Sequence, residues 1–153
     1  MRDEREGLYH YTECGLDDVW LEGGVLFHDT PYGPGVSIMD VDGLHRVIGL
    51  GLCDSVRKLR GREIRFLRIE LDLSQKMLGT LLGVGDTTVA RWESGRGPIT
   101  ETAQKLLCAL YRERATGNAK VAESLERLAS LDAEERRQMQ LTHDEGGWHD
   151  QAA

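Results

Sequence analysis

Asp86, Thr87, Thr88 and Arg91 set four hydrogen-bonding side chains on a short, helix-forming stretch. Residues of these types, spaced in this way near a helix N-terminus, can recognise the edges of DNA bases. Thr88 can meet a thymine methyl or a base acceptor. Arg91 can fork onto guanine, a contact worth about 1–3 kcal/mol of discrimination. Twelve residues before Asp86, Ser74 and Gln75 open another helical stretch, followed by Lys76. Amides and side chains at such a helix start can hold a phosphate. Arg57, Lys58, Arg60, Arg62, Arg65 and Arg68 crowd residues 57–68, and Arg96 follows the Arg91 stretch. These cations are candidate phosphate clamps, with Ser74, Gln75, Arg62, Arg65, Lys76 and Arg96 as the favoured set. A solvated helix face is the alternative reading for any one of them.

The segments that must position these groups are legible in the apolar pattern. Ile64, Leu67 and Leu71, with Phe66 beside them, predict one helix. Ser74 predicts an N-cap for the next, with Met77, Leu78, Leu81 and Leu82 as its apolar face. Gly83-Val84-Gly85 reads as a tight turn. Asp86 to Glu93 is then a third helix, ended by Ser94-Gly95. In this arrangement Leu78, Leu82, Val84, Val89 and Trp92 join the two short helices. Gly79 lets them approach, and Gly83 supplies the unusual backbone of the turn. Gly97-Pro98 is expected to open a fourth helix that buries Ala103, Leu106, Leu107, Leu110 and Tyr111. Two short helices joined by a glycine turn can present the second to the major groove, about 12 Å wide.

Leu73-Ser74-Gln75, Leu82-Gly83-Val84 and Thr88-Val89-x-Arg91-Trp92-Glu93-x-Gly95 resemble the lambda-repressor-like, Xre-type helix-turn-helix family. The resemblance covers about residues 60–115. It implies a five-helix type of domain and a homodimer on double-stranded DNA with a two-fold site. The sequence departs from the family at Gly85, where a serine cap is common. Glycine caps almost as well.

The net charge of −7 is distributed unevenly. Residues 1–56 carry −8, residues 57–97 carry +4, and residues 98–153 carry −3. A basic middle between acidic flanks suits a protein that touches phosphates locally and repels DNA elsewhere. Cys14, Cys53 and Cys108 are an odd, scattered set, which predicts free thiols in a reducing cytoplasm. No long apolar run predicts a membrane span, and Met1–Glu6 lacks the apolar core of a secretory signal.

Ahead of the helices, residues 8–41 read as short strands. Val19-Trp20-Leu21 and Val25-Leu26-Phe27 flank Glu22-Gly23-Gly24 and predict a hairpin. Thr30 to Gly35 reads as a loop and Val36–Met39 as a third strand. Asp42 is expected to cap a helix carrying Leu44, Val47, Ile48 and Leu52 that covers the strands. Gly49 and Gly51 within it would allow close packing on the sheet. The predicted fold class is therefore α+β. It comprises a small β-rich module with one covering helix over residues 1–56 and a helix-turn-helix domain over 57–116. C-terminal helices follow over 117–141, then a polar tail over 142–153 expected to be disordered. Val121, Leu125 and Leu128 form a stripe that reads equally as a dimer seam or as packing on the domain. Asp132-Ala133-Glu134-Glu135 reads as a fresh helix start.

A β-rich module ahead of a helix-turn-helix resembles the layout of MqsA-type antitoxins, which bind zinc through two Cys-x-x-Cys-Gly pairs. Here Tyr11-Thr12-Glu13-Cys14-Gly15 keeps one cysteine of the first pair, and the second has no counterpart near Gly43-Leu44-His45. His10, Cys14, His28, His45 and Cys53 show no recognised ligand spacing, so neither a metal nor another cofactor is expected. Asp17-Asp18 reads as a turn in preference to an acid pair. Tyr9, Tyr11, Trp20 and Phe27 read as sheet filling in preference to a partner surface. No nucleophile–base set supports an enzyme. The expectation is a sequence-specific, cytoplasmic transcriptional regulator, an autoregulating antitoxin-like repressor with a cognate toxin as partner. The alternatives are a free-standing prophage-type regulator and an interaction module that no longer reads DNA.

Overall fold

The computed structural model describes residues 7–117, 123 and 140–150. It has an α+β fold. Strands β1 (Tyr9–His10), β2 (Trp20–Leu21), β3 (Val25–Thr30) and β4 (Gly33–Ile38) precede helices α1 (Val41–Asp54), α2 (Gly61–Glu70), α3 (Gln75–Leu82), α4 (Asp86–Glu93) and α5 (Glu101–Ala115). Strands β5 (Leu141–Asp144) and β6 (Gly147–Asp150) follow.

The hairpin expected around Glu22-Gly23-Gly24 does not form. Trp20 and Leu21 pair backwards with His10 and Tyr9, while β3 pairs with β4 from Val25↔Ile38 to Thr30↔Gly33. The Met39 amide donates to Gly24 O at 2.8 Å, so Gly24 belongs to the second ladder. The six-residue partner β4 offers β3 a longer ladder than the short stretch Val19-Trp20-Leu21 could. The stretch expected as a loop therefore narrows to Pro31-Tyr32, and Gly33-Pro34-Gly35 becomes strand. Thr30 holds this turn: its hydroxyl donates to Gly33 O at 2.6 Å and accepts from Tyr32 N. Pro34 is tolerated because a two-stranded ladder leaves every strand an open edge.

Helix α1 starts two residues earlier than expected. Asp40, in the left-handed region at φ 47°, is its N-cap and accepts from Gly43 N at 3.2 Å. The helix was expected to cover the strands, yet its main partners are α5 and α2. Gly49 is what permits this: a Cβ there would lie 2.2 Å from the Tyr111 ring of α5. The close approach that glycine gives is to a helix, not to the sheet. Phe27 is consequently 72% exposed, and Leu26, Val36 and Met39 are exposed beside it.

The core gathers around Ile64, Leu67, Leu78, Val89, Trp92 and Leu107, with Leu16 from the N-terminal loop inserted among them. Helix α5 begins at a Thr100 cap, not at Gly97-Pro98; Thr100 Oγ1 accepts from Ala103 N at 3.2 Å. Ile99 is buried, so its side chain enters the core just before the helix starts. Ala103, Leu107, Cys108 and Tyr111 form its buried face, whereas Leu106 is exposed. The tail expected as disordered holds the β5–β6 hairpin. Asp144 Oδ1 accepts from Gly146 N in the turn, and Trp148 packs edge-on against His143. The Val121–Leu128 stripe and the helix start at Asp132 lie outside the described residues.

Candidate nucleic-acid interface

The site is built on α3 and α4. Ser74 caps α3, its hydroxyl accepting from Met77 N at 3.1 Å. Gly83 ends α3 at φ 73°, and Val84 N donates back to Gly79 O at 2.8 Å. Gly79 is needed for a second reason. A Cβ there would stand 2.6 Å from Val84 O, inside any allowed separation, so a side chain would push the turn away. Val89 and Trp92 then anchor the inner face of α4. Leu78 is fully buried against them, while Leu82 and Val84 are partly buried.

A buried ion pair fixes the angle of α4. Arg68 of α2 donates from Nε to Glu93 Oε2 at 2.7 Å and from Nη2 to Oε1 at 2.9 Å. Its Nη1 donates to Leu73 O, and Gln75 Nε2 donates to Glu93 Oε1 at 3.3 Å. Helices α2, α3 and α4 thus meet on one carboxylate. Planar bidentate pairing of this kind fixes orientation as well as distance. Arg68, counted among the candidate clamps, is turned inward and committed to this joint.

With its inner face anchored, α4 presents Asp86, Thr87 and Arg91 to solvent, with Thr88 half-buried between them. Gly85 caps the helix without a side-chain bond, and Asp86 Oδ1 accepts from Thr87 N at 2.8 Å. With side chains a helix such as α4 is about 10–12 Å across, which fits the roughly 12 Å width of the major groove. Ser74, Lys76 and Arg96 are exposed around this helix pair, and Gln75 is half-buried. Arg96 N donates to Arg91 O at 2.9 Å, which ties its loop to the end of α4.

Arg62 and Arg65 lie exposed on α2. The N-terminus of α2 abuts the C-terminal end of α4: a Cβ on Gly61 would lie 2.5 Å from Glu93 O and 2.6 Å from Trp92 O. Arg60 and Arg62 flank that contact. Arg60 Nη2 is 3.0 Å from Asp18 Oδ2 and 3.3 Å from Asp17 Oδ1, and Arg62 Nη1 is 3.7 Å from Asp17 Oδ2. Glu63 foremost, then Asp18 and Asp17, hold the Arg60 guanidinium above the ordinary arginine pKa.

Residues 64–110 match the helix-turn-helix family model. The matched segment runs from α2 to α5 and contains both short helices and the joint between them. Families of this kind bind DNA, which supports a DNA-binding regulator in general, and the matched family is not an enzymatic one. No curated protein and no solved structure matches the chain. Among the described residues, no helix is long and apolar enough to cross a membrane.

The residues weighed as metal ligands are dispersed. His10 stacks on Trp20 with ring centroids 4.0 Å apart and bonds Asp17 O. His45 lies between Tyr11 Oη and Glu70 Oε1, each at 2.7 Å. Cys53 and Cys108 face each other between α1 and α5. The hydrogen bond between them and burial push the Cys53 thiol up, while Cys108 is lowered as the acceptor. Tyr11 is buried, but Phe27 is exposed, so the four N-terminal aromatics do not form one core. Two features of the site escaped sequence reasoning: the Glu93 joint and the carboxylates on Arg60 and Arg62. Glu93 was visible as a motif residue, but no local pattern says which arginine it binds.

Proposed function

We propose that this protein is a sequence-specific transcriptional repressor of its own promoter, built to work with a protein partner as antitoxins do. Base reading falls to Asp86, Thr87, Thr88 and Arg91. Phosphates are held by Ser74, Gln75, Lys76, Arg96, Arg62 and Arg65. The observation that carries the reading is the outward polar face of α4 on a helix clamped by Arg68–Glu93. A clamp of that kind keeps side chains in register with base edges, which non-specific binding does not require. A homodimer on a two-fold site is the form in which one short helix per protomer gains enough contact for specificity.

The partner part of the proposal rests on the N-terminal region. Residues 7–45 hold seven carboxylates and no Lys or Arg. Phe27 and Tyr32 stand exposed within them, at 72% and 100%. An acidic surface with exposed aromatics suits a basic protein such as a toxin. The deciding experiment is fluorescence anisotropy with the duplex upstream of the gene against a scrambled duplex. Tight binding to the upstream duplex alone supports the reading. Equal, weak binding to both would remove autoregulation.

A further inference from the structure

Arg60 and Arg62 project from the start of α2 beside the C-terminal end of α4, and each already holds an oxygen anion. We propose that these two arginines form a binding site for a DNA backbone phosphate, and that Asp17 and Asp18 occupy it in the free protein as stand-ins for that phosphate. The inference rests on the DNA-binding reading above and adds a regulated contact to it.

Position comes first. The Gly61 backbone rests on the carbonyls of Trp92 and Glu93, so Arg60 and Arg62 are carried at one end of the recognition helix. A helix with its side chains is about 10–12 Å across and fills the roughly 12 Å major groove, so groups packed against its end lie close to the flanking phosphate rows. Arg96, tied by its backbone to Arg91, lies just beyond the same end.

Chemistry comes second. A guanidinium recognises carboxylate and phosphate oxygens with the same planar fork. The pairs to Asp17 and Asp18 are long and wet: 3.0, 3.3 and 3.7 Å, with all four side chains between 47% and 65% exposed, while Arg60 Nε also lies 3.5 Å from the buried Glu63 carboxylate. Exposed pairs of this kind contribute little and are readily exchanged. A duplex offers a denser line of negative charge and gains further by releasing counterions.

The loop that carries the carboxylates is held by other means. Leu16 is buried in the core, and the Asp17 carbonyl accepts from His10 Nε2 at 2.7 Å. The arginines can therefore swing to a phosphate while the loop stays in place. On a random-sequence duplex, where α4 is not docked in register, they stay on Asp17 and Asp18, which withholds their phosphate contacts from sequence-independent binding.

The test uses the full chain and a random-sequence duplex, with binding measured across a salt series. Asp17→Asn/Asp18→Asn keeps the shape of the loop and removes the competitor. Arg62, freed outright, should add about 0.9 to the slope of log K against log salt, and Arg60, still 3.5 Å from the buried Glu63 carboxylate, should add less. A four-fold fall in salt should then favour the variant by at least about 3-fold over the unaltered protein. Glu22→Gln/Asp29→Asn makes the same charge change on the exposed β2–β3 region and should leave the slope unaltered. Adding Arg60→Gln/Arg62→Gln to the Asp17/Asp18 variant should cancel its gain. An unchanged slope, a gain equal to that of the Glu22/Asp29 variant, or a gain that survives loss of both arginines overturns the proposal. Preference for the upstream duplex is read in the same titrations. Its absence, with the arginine-dependent gain intact, would fail the repressor reading and leave the phosphate site standing.

Discussion

Arg68 of α2 and Glu93 of α4, 25 residues apart in sequence, close on each other through two hydrogen bonds of 2.7 and 2.9 Å. Their side chains are only 14% and 6% exposed. Removing one partner strands the other charge in a dry site. Arg68→Ala should therefore cost about 3–5 kcal/mol in urea unfolding. Arg68→Met combined with Glu93→Leu should recover most of that loss, because no unpaired charge remains. The double variant should nevertheless bind DNA poorly, since apolar packing does not fix the orientation of α4. Recovery of stability together with full site preference would mean that the pair only stabilises.

Two glycines of the helix pair should respond in opposite ways. Gly79→Ala drives a methyl to 2.6 Å from Val84 O and should cost about 1–3 kcal/mol by overpacking against backbone. Gly85 has open space around it and an ordinary φ of −73°. Gly85→Ser adds a side-chain cap to α4 and should stabilise by about 0.2–0.4 kcal/mol. Thermal unfolding of both variants checks the pair. A neutral Gly79→Ala would mean that the turn yields without cost.

The same contrast holds inside α1. Gly49→Ala must displace the Tyr111 ring and loosen α1 from α5, whereas Gly51 faces open space. Gly51→Ala should stabilise by about 1 kcal/mol through helix propensity alone. Gly49→Ala should destabilise in spite of the same propensity gain. Chemical denaturation of the two single variants reads the sign directly.

These cases show what the sequence made legible. The α3–turn–α4 unit was readable because its determinants are local: the Ser74 cap, the 3.6-residue apolar spacing and the left-handed Gly83 each act within a few residues. Long-range partners were not. Glu22-Gly23-Gly24 has the chemistry of a hairpin turn, yet Val25–Thr30 found a longer partner beyond Pro31-Tyr32. Which of two ladders wins depends on their relative lengths, a property of the whole segment. Gly49 signals a close approach without saying to what, and its neighbour is the Tyr111 ring of α5, not the sheet. The polar, glycine-bearing end near Gly146 read as disorder, because a hairpin of four-residue strands leaves little apolar signal. At the site, the exposed polar face of α4 was expected, but the commitment of Arg68 to Glu93 needed the third dimension.

His45 joins the N-terminal region to the helices. Its Nε2 meets Tyr11 Oη and its Nδ1 meets Glu70 Oε1, both at 2.7 Å, and its carbonyl accepts from Tyr111 Oη. Tyr11 is buried, so Tyr11→Phe leaves a ring nitrogen of His45 without its partner. The expected loss is about 1–2 kcal/mol. Hydrogen exchange should show the opening at β1 and α1 and leave α3 and α4 protected. Uniform loss of protection would mean that the network belongs to one cooperative unit with the helix-turn-helix.

Arg91 and Arg96 lie on either side of the α4 C-terminus, yet they should fail in different ways. Arg91 projects from the outer face of the helix, where a planar fork can reach a guanine edge. Arg91→Ala should weaken binding to the upstream duplex by about 1–3 kcal/mol, a loss of roughly 5- to 150-fold. Binding to a random duplex should fall far less. Arg96 sits in the loop beyond the helix, where its backbone amide donates to Arg91 O. A cation there meets phosphate, so Arg96→Ala should weaken both duplexes alike and reduce the salt slope by about 1. Paired anisotropy titrations on the two duplexes separate the roles. Equal losses for both variants on both duplexes would mean that α4 binds DNA without reading it.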